Sequence, residues 1–290
     1  MLLNTAKAVS TVATRKYEKQ PLGCAGWGYS CGTMAQITFP PPYTTAESSA
    51  QSLRESGFAV LAPQDFAAWI GTSLPELRAL DGDWADLPPD AYLKDGGRYR
   101  RRRHSCFVDQ GEELAQVPHR PHWQPVQYNA LHGGMQRMFD PMEPATAQSE
   151  VWRKLLLRLA RLSDEVFCPP GMNERWYIEA HQFRIDTTDG IGRPTPEGAH
   201  RDGVDLVAVV LVGRDGVKGG ETRVFEAAGP KGQRFTLIEP WSVMLLDDAR
   251  MIHETTPIQP ERKGGVRDTL VLTFRRGNFQ GAELDDVPSA

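Results

Sequence analysis

The chain has 290 residues, of which 40% are hydrophobic, and its formal net charge is −4. A chain of this length can form one large all-β domain with a sizeable buried core. The slightly acidic balance gives no basic field for nucleic acid, and no apolar stretch approaches the about 20 residues of a membrane span. We therefore expect neither a nucleic-acid partner nor a membrane anchor, and the sequence does not indicate the oligomeric state.

The two ends of the chain differ in composition from its middle. Residues 1–45 are rich in Gly, Thr and Pro and are predicted to form a flexible lead-in, and residues 281–290 a C-terminal tail. Residues 46–280 are predicted to form a single domain. Its cysteines are too few for a disulfide framework and lack zinc-finger spacing, which favours a cytoplasmic protein; the four are Cys24, Cys31, Cys106 and Cys168.

The first half of this domain alternates short helices with irregular sequence. Helical patterns cover Thr45–Ser56, Asp65–Ile70 and Leu74–Leu80, and a short strand covers Phe58–Leu61. Residues 81–145 are polar and have no clean period, so we expect a long functional or disordered loop. The basic run Arg98–His104 within it is typical of a solvated face.

The second half is dominated by one long helix and several strands. Apolar residues at helical spacing predict a helix over Ser149–Phe167, part of a brace (147–167) against a sheet. The period then changes from 3.6 to 2, and turn-forming residues separate six strand-like segments: Arg175–Ile185, Val204–Val212, Thr222–Glu226, Arg234–Ile238, Ser242–Leu246 and Thr269–Arg275. This succession predicts a mainly β fold with flanking helices, of the jelly-roll or cupin-like barrel type.

Three residues in this β-rich half have the character of metal ligands. His200 and Asp202 alternate, so on a strand both would point to one face, and His253 follows an apolar strand. Two histidines and one carboxylate form the facial triad of non-haem Fe(II) oxygenases, with positions left for a 2-oxo acid and O₂. A His-x-Asp pair alone is a weak signal, and a zinc hydrolase with the same ligands is an alternative.

An arginine further along the chain makes the iron interpretation more specific. Arg267 follows His253 by fourteen residues, and Thr269 lies two positions further on the same face of the last strand. A guanidinium binds a carboxylate bidentately, and a neighbouring hydroxyl adds a hydrogen bond. The pair therefore suits the distal carboxylate of 2-oxoglutarate, although a structural ion pair would also explain Arg267.

Several segments together resemble a known family. They are EGAHRDGVDLVAVVLVGRDGVKGGET, LLDDARMIHETTPI, RDTLVLTFRRG, DAYLKDGGRYRRRRHSCF, QYNALHGGMQRMF and WYIEAHQFRI. They are similar to the bacterial 2-oxoglutarate/Fe(II) dioxygenases typified by L-isoleucine dioxygenase, over roughly residues 55–277. The resemblance implies a double-stranded β-helix and hydroxylation of a free aliphatic amino acid, with Fe(II), 2-oxoglutarate and O₂ as cofactors.

Candidates for substrate binding are less clear. Gln182 and Arg184 alternate on the strand before the triad, so they would share a face that is either the barrel interior or a polar exterior, while His181 would point the opposite way. Arg100, Tyr128 and Arg137 lie in segments that could close over the barrel. A second metal site could be built from other histidines, but their spacing is irregular: His104, His119, His122 and His132.

The sequence thus predicts an Fe(II)/2-oxoglutarate-dependent dioxygenase that hydroxylates an unactivated C–H of an isoleucine- or leucine-like free L-amino acid and releases succinate and CO₂. The same chemistry on a cyclic amino acid, a small peptide or a carrier-tethered intermediate is the main alternative. A zinc hydrolase and a non-enzymatic barrel that binds a ligand or partner are further alternatives.

Overall fold

A seven-stranded antiparallel sheet is the largest element of the structure, a computed structural model that describes residues 38–281. In their order across the sheet, the strands are β1 (Phe58–Leu61), β9 (Ser242–Asp247), β5 (Leu206–Asp215), β12 (Val266–Arg275), β4 (Tyr177–Asp186), β2 (Arg100–Asp109) and β3 (Leu114–Gln116). Five further strands form a three-stranded sheet and a pair: β10 (Met251–Thr255), β7 (Thr222–Glu226) and β8 (Gly232–Phe235), then β11 (Ile258–Pro260) with β6 (Val217–Gly219). Together they form the double-stranded β-helix, as predicted.

The helices have recognisable start and stop signals. They are α1 (Ser49–Ser56), α2 (Pro63–Trp69), α3 (Leu74–Arg78), α4 (Pro144–Ala147) and α5 (Glu150–Phe167), with single 3-10 turns at Ala46–Ser48 and Asp81–Trp84. Ser149 caps α5 by accepting a hydrogen bond from the amide of Trp152, and Gly57 ends α1 with a φ of 77°, which glycine adopts without strain. No helix of the described residues is long and apolar enough to cross a membrane.

Alternation along the central strands divides the core into two layers. On β5, Leu206, Ala208 and Val210 face the helices and pack with α5 residues such as Trp152. Val207 and Val209 point the other way, into the space between the two larger sheets. Because successive strand residues point to opposite faces, one apolar strand serves both layers.

The predicted elements are confirmed in type, with shifts of a few residues at most boundaries. Phe58–Leu61 and Thr222–Glu226 have the predicted bounds, and α5 begins one residue later than expected. Most of the predicted lead-in and tail, with Cys24 and Cys31, lies outside the described residues.

Residues 81–145 were predicted wrongly as a stretch without regular structure. They contain β2, which pairs with β4 over nine residue pairs near the edge of the large sheet. The basic run Arg98–His104, which overlaps the start of β2, is also not the solvated face that was predicted, because Arg100, Arg102 and His104 are almost fully buried. Its arginines alternate between a buried and a more accessible face, a period of two that their shared charge conceals.

Candidate active site

A cavity with a volume of ≈ 120 Å³ lies between the sheets, where strands of both present alternate side chains. From β12 it receives Arg267, Thr269 and two further residues of the same face, Val271 and Thr273. From β4 it receives the odd-numbered residues, Glu179, His181, Phe183 and Ile185. Polar and apolar side chains thus line the same cavity.

The three predicted metal ligands meet at this cavity. His200 and His253 exchange two backbone hydrogen bonds of 3.0 and 2.9 Å in an isolated β-bridge, and their ring centroids are 4.6 Å apart. Asp202 Oδ1 lies 3.7 Å from His200 Nε2, and Asp202 Oδ2 lies 3.9 Å from His253 Nε2. Ligand atoms of all three residues lie within 4.8 Å of one another.

The local cause of this arrangement differs from the predicted one. Asp202 is not on a strand: it lies in the loop before β5, and the Asp248 carboxylate accepts the amide hydrogens of Asp202, Gly203 and Val204 at 2.9, 2.7 and 3.1 Å. Burial, and then the charge of Asp202, raises the pKa of Asp248 to about 7. Asp248 therefore orients the loop that carries Asp202.

The electrostatics of the three groups suit a cation. Burial, and then the proximity of His200, lowers the pKa of His253 well below its usual value, so this imidazole is a neutral donor. Burial also acts to lower the pKa of His200, but the carboxylates of Asp202 and Glu197 outweigh it and raise the pKa. Burial raises the pKa of Asp202. Two imidazoles and one carboxylate with an open side are the donor set that non-haem Fe(II) takes.

Arg267 offers a cation on another part of the cavity wall. It is 2% exposed, and its Nε and Nη2 atoms have no hydrogen-bond partner within residues 38–281. Burial, and then the nearby Arg214, lowers its pKa to about 10, which leaves it charged at neutral pH. Thr269, also buried, lines the same cavity. A buried guanidinium whose nitrogens lack partners can bind a carboxylate bidentately.

Of the residues predicted to bind substrate, Arg137 lines the cavity without being paired to an acidic residue in the described part of the chain. It is 2% exposed, donates from Nη2 to Gln124 Oε1 at 3.1 Å, and has no acidic residue within ion-pair distance in the described part of the chain. Arg100 also lines the cavity, but Asp90 already binds it at 2.7 Å. Tyr128 does not line it, and its ring lies beside Gly203 in the loop after Asp202.

Gln182 and Arg184, which were candidates for substrate binding only if their shared face were the barrel interior, do not line the cavity. Both point to the helix side of β4: Gln182 is fully buried, and Arg184 forms a bidentate pair with Asp268 at 2.8 and 2.7 Å. His181, which was expected to face away, lines the cavity instead. Both faces of β4 are buried and both carry polar residues, so alternation alone could not identify the inner face.

Gln124 and Glu197 are among the cavity residues that sequence reasoning missed. Gln124 donates to Asp202 Oδ1 at 3.1 Å while its Oε1 accepts from Arg137 and from Asn129, so it connects the metal ligand to the arginine. Glu197 has a buried Oε2 without a hydrogen-bond partner among the described residues. No local pattern marks either residue, because both lie in irregular segments.

The histidines outside the triad are also arranged differently from the prediction. His104 and His122 gather with Glu179 and His181, and ligand atoms of these four residues lie within 4.8 Å of one another. His119 instead contacts the carbonyl oxygen of Phe139 at 2.7 Å, and His132 is not part of the group. The spacing of histidines along the chain concealed this group because two of its members come from β4.

The fold and the cavity together define an oxygenase of the Fe(II)/2-oxoglutarate class. The family model of the 2OG-Fe dioxygenases matches residues 81–273, and the chain belongs to this family. It is thus a 2-oxoglutarate- and Fe(II)-dependent dioxygenase, as predicted, with Fe(II), 2-oxoglutarate and O₂ as its cofactors.

Solved structures resemble this one to different degrees. A BsmA homologue from Methylobium petroleophilum PM1 is 52% identical, with a TM-score of 0.77 over 83% of this chain and 97% of that one. IDO from Bacillus thuringiensis is 16% identical (TM-score 0.65, 80% and 96% covered), and the Fe(II)/α-ketoglutarate-dependent dioxygenase TqaL is 19% identical (0.61, 80% and 87%). The last two share the fold. No curated protein sequence matches this chain.

Proposed function

We propose that the protein hydroxylates an unactivated C–H bond of a free L-amino acid with an aliphatic, isoleucine- or leucine-like side chain. The observation that carries this proposal is the buried Arg137 guanidinium, which faces the cavity without an acidic partner among the described residues. A buried cation is costly unless an anion pairs with it, and the carboxylate of an amino acid supplies that anion.

We assign the iron to His200, Asp202 and His253. Their donor atoms are close enough to share one ion, and the His253 imidazole is neutral. His200 Nδ1 lies 2.9 Å from the carbonyl oxygen of Gly198, which fixes the ring and directs Nε2 towards the other donors. When bound, Fe(II) with 2-oxoglutarate and O₂ supplies the oxidising power for hydroxylation, with succinate and CO₂ as co-products.

Arg267 and Thr269 are assigned to the distal carboxylate of 2-oxoglutarate. The two unused N–H groups of Arg267 match the two oxygens of a carboxylate, and the low exposure of the site strengthens that interaction. Arg267 lies on β12, which pairs with β4 on one side and β5 on the other, so the large sheet holds its backbone in place.

The two charged ends of the amino acid have separate candidates. Arg137 would bind the carboxylate, and Glu197, whose Oε2 is buried without a partner in the described residues, would accept the ammonium group. A site with one cation, Arg137, and one anion, Glu197, would favour a zwitterionic amino acid over its amide or ester, because the derivative lacks the carboxylate charge. The side chain of the substrate would contact the apolar part of the lining, which includes Val209, Met244 and Val271.

The test is a panel of free L-amino acids incubated with the enzyme, Fe(II), 2-oxoglutarate and O₂. We expect a mass increase of one oxygen on an aliphatic member and succinate release that depends on that member. Its N-acetyl and C-amide derivatives should be poor substrates. The Arg137→Gln variant should raise KM for the amino acid by about tenfold or more, because a charge-assisted contact is lost.

The matched control is Arg103→Gln on β2, because the Arg103 guanidinium contacts Glu143 and the carbonyl oxygen of Pro141 outside the cavity. It should leave KM unchanged. Oxygenation of a C-amide, a peptide or a carrier-tethered residue in preference to the free acid would contradict the proposed substrate while leaving the oxygenase class intact.

A further inference from the structure

The cluster of His104, His122, Glu179 and His181 is unused by the reaction proposed above. His122, Glu179 and His181 line the same cavity as the triad, and His104 is fully buried behind them. β2 and β4 supply three of the four residues. Burying a carboxylate and three imidazoles is costly unless these groups pair with one another or with an ion.

The three imidazoles converge on one atom. Glu179 Oε2 lies 2.5 Å from His122 Nδ1, 3.1 Å from His104 Nε2 and 3.6 Å from His181 Nε2. The rings are packed together, with centroids of His104 and His181 4.6 Å apart and those of His122 and His181 also 4.6 Å apart. Ligand atoms of all four residues also lie within 4.8 Å of one another, which is close enough for several of them to share one ion.

One of the three histidines is excluded as a ligand by its neighbour. Arg102 Nη2 lies 2.7 Å from His181 Nδ1, and a guanidinium can only donate, so Nδ1 must carry a lone pair. The proton of this ring is then on Nε2, which faces Glu179. His181 therefore supports the carboxylate as a hydrogen-bond donor and cannot itself bind an ion through Nε2.

Arg102 is in turn held firmly. Its guanidinium carbon lies 3.8 Å from the ring centroid of Phe139 and 4.5 Å from that of Phe183, and its Nη1 lies 4.0 Å from Asp90. The chain Arg102, His181, Glu179 is thus a preorganised support of the kind that surrounds metal ligands.

We propose that His104, His122 and Glu179 bind a second divalent metal ion of the zinc class, separate from the iron, with its open positions towards the cavity. Ligand atoms about 2.1 Å from a tetrahedral ion are about 3.4 Å apart. The 3.1 Å separation needs to open by about 0.3 Å to fit this, and the 2.5 Å separation by about 0.9 Å. The site does not depend on the identity of the amino-acid substrate.

The test measures metal content in a protein whose iron site has been removed. The full-length His200→Ala/His253→Ala variant is stripped with chelator, reconstituted with Zn²⁺ alone, desalted and analysed by mass spectrometry for bound metal. We expect about one equivalent of Zn²⁺, and a rise in Tm with Zn²⁺, because an ion that binds only the folded state stabilises it. Adding Glu179→Gln should abolish both, whereas adding His119→Gln, a histidine outside the cluster, should change neither.

Two outcomes would overturn the proposal. One is a folded His200→Ala/His253→Ala protein that retains no Zn²⁺ and shows no Zn²⁺-dependent Tm, a result that does not depend on whether any cluster variant folds. The other is Zn²⁺ retention unchanged by Glu179→Gln. The Arg102→Met variant tests the support separately: loss of an outer hydrogen-bond partner should weaken Zn²⁺ binding by about tenfold to a hundredfold.

Discussion

The cavity has two walls that differ in how their charges are arranged. We call the first the triad wall; it consists of His200, Asp202, His253, Arg267 and Thr269. We call the second the arginine wall; it consists of Arg100, Arg102, Arg137, Gln124, His122, Glu179 and His181. On the triad wall the Arg267 guanidinium has two nitrogens without a partner among the described residues, whereas most charged groups of the arginine wall are already paired.

We infer from this difference that the two walls have different functions. Unpartnered buried donors, such as Nε and Nη2 of Arg267, are energetically costly unless a ligand accepts their hydrogen bonds, which is the basis for the proposed binding of 2-oxoglutarate at this wall. On the arginine wall Arg100 is bound by Asp90, and the Glu179 carboxylate by histidines, so that only Arg137 lacks an acidic partner within the described chain. We therefore expect changes in the triad wall to abolish turnover and changes in the arginine wall to alter substrate affinity.

The largest effect is expected from Asp202→Ala. Loss of the carboxylate leaves two neutral imidazoles for the ion, so bound iron and substrate-dependent succinate release should fall by about a thousandfold. Metal analysis and a succinate assay measure the two. Glu254→Gln, next to His253 but bonded to Arg223 outside the cavity, is the control and should retain both. Retained turnover in the Asp202→Ala variant would contradict the expectation that changes in the triad wall abolish turnover.

Arg267→Gln should have the next largest effect and a narrower one. Removing one partner of a buried charge pair costs roughly 3 kcal/mol, so KM for 2-oxoglutarate should rise about a hundredfold. KM for the amino acid should stay within about twofold, since Arg137 is intact. Arg262→Gln, an exposed arginine of the loop before β12, serves as the control. An equal rise in both KM values would show that the walls are not separable.

Gln124→Leu tests the connection between the walls. Gln124 contacts Asp202 on one side and Arg137 on the other, so its loss should loosen both. We expect kcat/KM for the amino acid to fall by about tenfold to a hundredfold, the usual effect of losing an outer partner of a metal ligand. Gln116→Leu at the exposed end of β3 should have no such effect. An unchanged kcat/KM in the Gln124→Leu variant would show that Gln124 does not couple the two walls.

The smallest effect is expected outside both walls, at Asp109. Burial raises the pKa of this carboxyl to about 6, so the folded state holds its proton more tightly than the unfolded state does. Its contribution to the free energy of unfolding is therefore greatest below about pH 4, where both states are protonated, and falls as the pH rises to about 6. Asp109→Asn should remove this decline and leave kcat/KM unchanged. Tm measured from pH 4 to 8 checks the first point; an unaltered decline would contradict it.

The same contrast explains what sequence reasoning could reach. The residues of the triad wall could be predicted from the sequence because they occur in short patterns: His-x-Asp, a histidine after an apolar strand, and Arg-x-Thr on the last strand. The strands of the second half could be predicted because apolar and polar residues alternate along them. These patterns are local, and the family's fold brings them together.

The arginine wall could not be predicted from the sequence, for two physical reasons. Arg100, Arg102 and His104 alternate correctly for a strand, but charged residues give no hydrophobic period, so β2 was interpreted as irregular and solvated. The inner face of β4 could not be identified, because His181 and Gln182 are both buried on opposite faces. Contacts such as Gln124 with Asp202, 78 residues apart, depend on the tertiary fold alone.

The most direct test of the two-wall account is an anaerobic titration of the Fe(II)-loaded enzyme with 2-oxoglutarate, followed by the weak visible charge-transfer band of the complex. We expect the band in the wild type and in Arg137→Gln at similar 2-oxoglutarate concentrations. In Arg267→Gln it should appear only at about hundredfold higher concentrations, and in His253→Ala not at all. A band that is absent from the wild type, or that Arg137→Gln shifts as much as Arg267→Gln does, would contradict the account.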